Sequence, residues 1–175
     1  MICGGTIVSE TRTFKGDILI EDGRIRKVTE LNDAESAMLQ GDDEGMQIIR
    51  AEGKYVLPGA VDIHTHMDLD VGIARVIDDF YSGTVAAACG GTTTIVDHMA
   101  FGPKGCSPWY QVNEYHRLAD GNAAVDYGFH GVLQHVDEDV LDEMAQIARA
   151  EGITSFKVYM TYDYRLDDLD LMKVI

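Results

Sequence analysis

Runs of apolar and β-branched residues begin near positions 61, 92, 125 and 153, a spacing of about thirty residues, the length of a strand, a helix and two loops. The stretches between them carry helix signals. Ser107 and Pro108 stand as N-cap and first helical residue, Asp137 precedes Val140, Leu141, Met144, Ile147 and Ala148 at core spacing, and Gly90-Gly91, Gly121 and Gly152 mark the stops. A β-α alternation of this period predicts a parallel α/β sheet. Two architectures compete, the doubly wound open sheet and the (β/α)8 barrel. No Gly-x-Gly-x-x-Gly follows a predicted strand, which removes the main support for a nucleotide-binding open sheet. Four strands would make half a barrel. The chain stops at Lys173-Val174-Ile175 within a helix that starts near Asp167-Asp168, so the reading is the front part of a longer protein.

Residues 1–57 differ. Short strands are predicted over 2–8 and 16–28, with Glu21-Asp22-Gly23-Arg24 as a hairpin turn, and strand character resumes at Ile48-Ile49 and Tyr55-Val56-Leu57. Between them, residues 30–45 are acidic and poor in large apolar side chains, as expected of an exposed insertion. The expected division is a small β unit over 1–57 and the α/β unit over 58–175.

Chemistry concentrates in Pro58-Gly59-Ala60-Val61-Asp62-Ile63-His64-Thr65-His66-Met67. Alternation along a strand puts His64 and His66 on one side at its C-terminal end, within reach of one metal ion. Barrel active sites lie at that end. Asp97 and His98 close the second strand in the equivalent place, as second-layer partners or as structural residues. His130 and His135 have opposite parity and cannot both face such a site. The second anchor is Lys157, predicted at the centre of a strand over 153–159, where an unpaired ammonium is costly. An amine there could take up carbon dioxide, and the resulting carbamate could bridge two metal ions; equally, the side chain could snorkel to solvent.

Composition narrows the function classes. Thirty acidic against 14 basic residues, a net charge of −16, argue against binding to nucleic acid or to an anionic membrane. Three scattered cysteines, Cys3, Cys89 and Cys106, form no disulfide or zinc-knuckle pattern, and a reducing cytoplasm fits them.

The sequence resembles the hydantoinase and dihydropyrimidinase branch of the amidohydrolase superfamily. The likeness rests on the His64-x-His66 segment, on Ala86-Ala87-Ala88-Cys89-Gly90-Gly91-Thr92-Thr93-Thr94-Ile95-Val96-Asp97, and on Gly152-Ile153-Thr154-Ser155-Phe156-Lys157-Val158-Tyr159-Met160-Thr161-Tyr162. The wording between these segments is nearest the bacterial phenylhydantoinase type of that branch. The resemblance implies the first half of a (β/α)8 barrel preceded by part of a β-sandwich, and a metal-dependent cyclic amidase that opens hydantoin or dihydropyrimidine rings to N-carbamoyl amino acids. It implies two divalent metal ions, zinc by expectation, with His64 and His66 on one of them and Lys157 bridging both as N6-carboxylysine made with carbon dioxide. Tyr162 would donate its hydroxyl to the developing oxyanion. Met67, Leu69 and Phe101 would line the pocket for the ring substituent, and a small cyclic ureide would be the partner of a cytoplasmic homotetramer. The alternatives are another cyclic amidase such as dihydroorotase or allantoinase, or a non-catalytic dihydropyrimidinase-like scaffold. In the family two further histidines and an aspartate arrive from later strands.

Overall fold

The computed structural model describes residues 1–31 and 45–175, so most of the acidic insertion expected over 30–45 lies outside the described residues. The chain divides into two compact units, Met1–Pro58 and Gly59–Ile175.

In the first unit, β1 (Ile2–Val8), β2 (Thr13–Glu21) and β3 (Arg24–Glu30) form an antiparallel meander. Asp22 and Gly23, at φ of 52° and 71°, make the two-residue hairpin turn expected of Asp-Gly, whose left-handed backbone matches the strand twist. The two-residue strands β4 (Ile49–Arg50) and β5 (Tyr55–Val56) add in parallel to the other edge of β1. Buried Asp17 accepts the Gly4 amide at 2.7 Å, which answers for a carboxylate among Cys3, Ile7 and Ile18.

The second unit is the predicted α/β alternation: β6 (Ala60–Thr65), α1 (Phe80–Cys89), β7 (Thr92–His98), α2 (Pro108–Ala119), β8 (Asp126–Val132), α3 (Glu138–Ala150), β9 (Phe156–Lys157) and α4 (Asp168–Val174). The strands pair in parallel in sequence order, β6-β7-β8-β9, giving a curled sheet that is half of a barrel. Each helix starts on a side-chain cap: Asp79 and Ser82 form a capping box on α1, Ser107 accepts the Trp109 amide, Asp137 the Val140 amide and Asp167 the Asp170 amide.

One face of the sheet is sealed by the helices. Phe80, Ile95, Met99, Val112, Tyr115, Phe129, Ile147 and Ile153 make one buried cluster, with the Phe80 ring edge-on to Tyr115 and Phe129. Residues 95, 97 and 99 of the second strand segment point into this core, so 94, 96 and 98 take the opposite face. That opposite face carries the chemistry.

The fourth strand differs from expectation. Only Phe156 and Lys157 are strand, paired with Gly131 and Val132, so Lys157 is the last residue of a two-residue strand and not the centre of a long one. The ladder stops on the C-terminal side where β8 itself ends, at Val132.

Candidate functional site

His64 and His66 leave β6 on the same side, as period-two alternation requires, with ring centroids 5.3 Å apart. His98, at the end of β7, sits between them and the next strand, 4.3 Å from His64 and 5.4 Å from His66. His130 follows on β8, in direct register with His98 and stacked on it at 4.4 Å. Four imidazoles from three adjacent strands thus form a continuous patch at the C-terminal ends. Lys157 closes the row from β9, and its charge is felt by both His66 and His98.

The electrostatics of the patch follow from burial and like charge. Burial pushes His98 down to about 4, and the Lys157 ammonium and neighbouring imidazoles push the same way. His66 is lowered by burial first and by Lys157 and His64 next. Both rings are therefore neutral near pH 7, the form in which imidazole can donate a lone pair. The Nδ1 atoms of His66 and His98 are buried without a hydrogen-bond partner, an arrangement that polar atoms rarely keep without a ligand or water. Among the described residues no ion pair engages Lys157; its ammonium lies 5.2 Å from the centre of the Tyr159 ring. No group of three or more His, Cys, Asp or Glu side chains among them is arranged to hold a metal ion. The donors thus suit a divalent metal in kind, with His64 and His66 together on one strand end and the imidazoles of His66 and His98 neutral.

Asp97 supports the patch from the sealed face. Wholly buried, it accepts the Thr65 hydroxyl at 2.6 Å and the Met67 amide at 2.8 Å with one oxygen, while the other has no partner. It therefore holds the residues on both sides of His66, Thr65 by its side chain and Met67 by its backbone. Burial pushes its carboxyl up to about 6, against the pull of those two hydrogen bonds.

The remaining sequence candidates separate into two groups. Phe101 packs on Tyr159 and Tyr164 at 4.9 and 4.6 Å, and Tyr159 in turn meets Tyr162 at 5.9 Å, so Phe101, Tyr162 and Lys157 share one aromatic surface centred on Tyr159. Tyr162 is exposed and has φ of 67°, a left-handed backbone that costs a side-chain-bearing residue about 1–2 kcal/mol and collects at functional sites. Met67 goes the other way: its side chain packs against the helix-side core, directly over Gly83, where a Cβ would lie 2.2 Å from its sulfur. Leu69 stands at the base of a loop hairpin, its carbonyl accepting the Val76 amide at 2.9 Å. A cleft of about 360 Å3 beside Phe101, lined by Asp68, Arg75, Tyr110, Gln111 and Glu114 among others, includes none of the four clustered histidines or Lys157.

Sequence reasoning gave His98 only a second-layer or structural part and left two members of this surface, His130 and Tyr159, without a role. The signal for His98 and His130 was the recurrence of a histidine near the C-terminal end of each of three consecutive strands. His135, at the other parity, pairs instead with Asp137.

A half-barrel whose polar side chains gather at the C-terminal ends of its strands defines the class: a (β/α)-barrel protein with its site at the conventional face. No protein-family model matches the chain. The D-phenylhydantoinase of Escherichia coli is 47% identical over 175 residues, all of this chain and 36% of that protein. Among solved structures, D-hydantoinase from Bacillus sp. AR9 superposes with a TM-score of 0.86 at 40% identity, covering 98% of this chain and 36% of that one. Dihydropyrimidinase from Brevibacillus agri NCHU1002 gives 0.86 at 37%, with the same coverage. The chain spans about a third of the length of the curated relatives it matches, and it belongs to the hydantoinase/dihydropyrimidinase family.

Proposed function

We propose that the chain is part of a metal-dependent cyclic amidase that hydrolyses the ring amide of 5-substituted hydantoins and dihydropyrimidines to N-carbamoyl amino acids. The observation that carries this reading is the meeting of His64, His66 and Lys157 on one face at the strand ends, with the His66 imidazole held neutral by burial. His64 and His66 would hold one of two divalent ions, zinc by preference, and Lys157, carboxylated by carbon dioxide, would hold both. When bound, such a pair supplies a nucleophilic water at neutral pH and polarises the ring carbonyl.

The chain's own residues supply the rest. An ammonium facing neutral imidazoles without a carboxylate partner is poorly compensated, whereas an anionic carbamate at the same atom would be attracted by divalent cations. Tyr162, exposed beside Tyr159, can donate its phenolic proton to oxygen as charge develops on the carbonyl. Phe101, Tyr159 and Tyr164 offer an apolar aromatic wall suited to a phenyl or alkyl ring substituent. Met67, committed to the core, would act through packing, and Leu69 through its loop. Asp97 would fix the His66 backbone. Among the described residues no helix is long and apolar enough to cross a membrane; a cytoplasmic homotetramer is proposed from the family likeness alone.

Steady-state rates on a phenyl-substituted hydantoin, dihydrouracil and dihydroorotate test the assignment. The expected order puts the phenyl-substituted hydantoin first, because Phe101, Tyr159 and Tyr164 offer rings to the substituent and Lys157, once carboxylated, would offer no ammonium to a carboxylate. A preference for dihydroorotate would reject it.

A further inference from the structure

His130 uses both of its ring nitrogens, and it uses them on two different strands. Nε2 lies 2.9 Å from the carbonyl oxygen of Ile63 on β6, and Nδ1 contacts the hydroxyl of Ser155, two residues before Lys157. A carbonyl can only accept, so Nε2 carries the proton and Nδ1 accepts from Ser155. β6 and β8 are not neighbours in the sheet, since β7 lies between them. The imidazole therefore reaches across β7 on the site face, resting on the His98 ring as it does so.

The atoms it holds are informative. The Ile63 carbonyl belongs to the peptide bond that leads into His64, so the hydrogen bond fixes the plane from which His64 departs. Ser155 begins the short run that ends in Lys157, where only two residues pair with β8. With both nitrogens engaged, His130 has no lone pair left for a metal ion.

We propose that His130 is a positioning residue for the metal centre: a strut that sets the spacing between the His64-x-His66 strand end and the Lys157 strand end. The proposal rests on the metal-centre reading given above. A bridging ligand on β9 and terminal ligands on β6 must converge within a few tenths of an ångström, and the sheet alone does not ensure that, because the β6–β7 register slips twice and β9 is held by two pairs. One side chain bonded to both strands supplies the missing constraint. Partners of this kind are worth about 10- to 100-fold in metal affinity.

The test uses the protein that carries this chain, with metal affinity read by chelator competition and kcat and KM read on a phenyl-substituted hydantoin. His130→Phe keeps the stacking on His98 and removes both hydrogen bonds. We expect its zinc affinity to fall about 10-fold or more, with kcat falling and KM changing little. His130→Gln places an amide N–H near the position of Nε2 and should recover much of the loss. Ser155→Ala, at an exposed position, should cost a few-fold on its own. Wild-type affinity in His130→Phe would overturn the proposal, since stacking alone would then suffice, and so would a His130→Gln as impaired as the phenylalanine variant. If His130→Phe fails to fold, unchanged affinity in Ser155→Ala overturns the proposal and a weakened one supports it. If the wild type binds zinc but opens no cyclic amide, the functional reading fails while the affinities still decide the role of His130; a wild type that binds no metal rejects both.

Discussion

Replacing Asp97 by asparagine should make the metal-free protein more stable at neutral pH, and the gain should disappear in acid. Asp97 is fully buried and its carboxyl is pushed up to about 6 from 3.8, chiefly by burial. A carboxyl whose folded pKa lies above its unfolded value opposes folding when ionised. The penalty is absent below about pH 4, grows between pH 4 and 6 and is complete above that. A shift of about two units corresponds to about 3 kcal/mol at pH 7, of which about 1 kcal/mol is removed on going to pH 5. The asparagine side chain would keep an acceptor for the Thr65 hydroxyl and the Met67 amide, and its NH2 group would occupy the place of the unpartnered oxygen. Burying that unsatisfied donor returns about 1–2 kcal/mol. The net expectation for Asp97→Asn is a gain of about 1–2 kcal/mol at pH 7, near zero at pH 5 and a loss at pH 4. Urea unfolding followed by circular dichroism at these pH values, after chelator treatment so that metal-coupled protons do not contribute, measures it. A gain independent of pH, or one that increases on acidification, refutes the argument. Asp97→Ala should be destabilising throughout, because two donors lose their acceptor.

Lys157→Ala should lose the metal pair and nearly all ring-opening activity, with partial recovery on adding acetate or propionate; intact metal content without such rescue would make the lysine structural. Tyr162→Phe should retain metal and lower kcat by about 10²-fold, whereas an effect on KM alone would remove the oxyanion role. Gly131→Ala would put a Cβ 2.4 Å from the Phe156 ring, so it should destabilise by about 1–3 kcal/mol and displace β9, seen as a lower melting temperature together with weaker metal binding. Phe80→Ala, which empties a fully buried aromatic site, should cost about 3–5 kcal/mol in denaturant unfolding without altering the ligand side chains.

Local signals told most about local structure. Asp-Gly at 22–23, Ser107-Pro108 and Asp137 each specify a turn or cap through backbone geometry within four residues, and each was placed from the sequence. The length of β9 was not legible, because residues 153–155 have strand-like composition yet do not pair with the β8 residues beside them. The same limit applies to the site. His64 and His66 share one strand, so alternation alone unites them, but the proximity of His98 and His130 depends on register between strands. That register is regular between β7 and β8 but slips between β6 and β7, from Ala60 to Val61 and again from Asp62 to Thr65. The burial of Met67 depends on a gap over Gly83 in a helix that begins well downstream, which no pattern around Met67 announces.

The unequal ladders of the parallel sheet also order events in time. β7 and β8 share five register pairs, whereas β9 is tied to β8 by two. Amide-exchange protection should therefore be graded across the sheet, with the amides of Phe156 and Lys157 opening well before those of Ile95 or Phe129. The lysine proposed to be carboxylated thus sits on the strand that most readily lifts from its neighbour. Its amine would remain within reach of dissolved carbon dioxide after the core has closed, so that maturation becomes a reversible late step set by the carbon dioxide and metal supply and separable from folding itself.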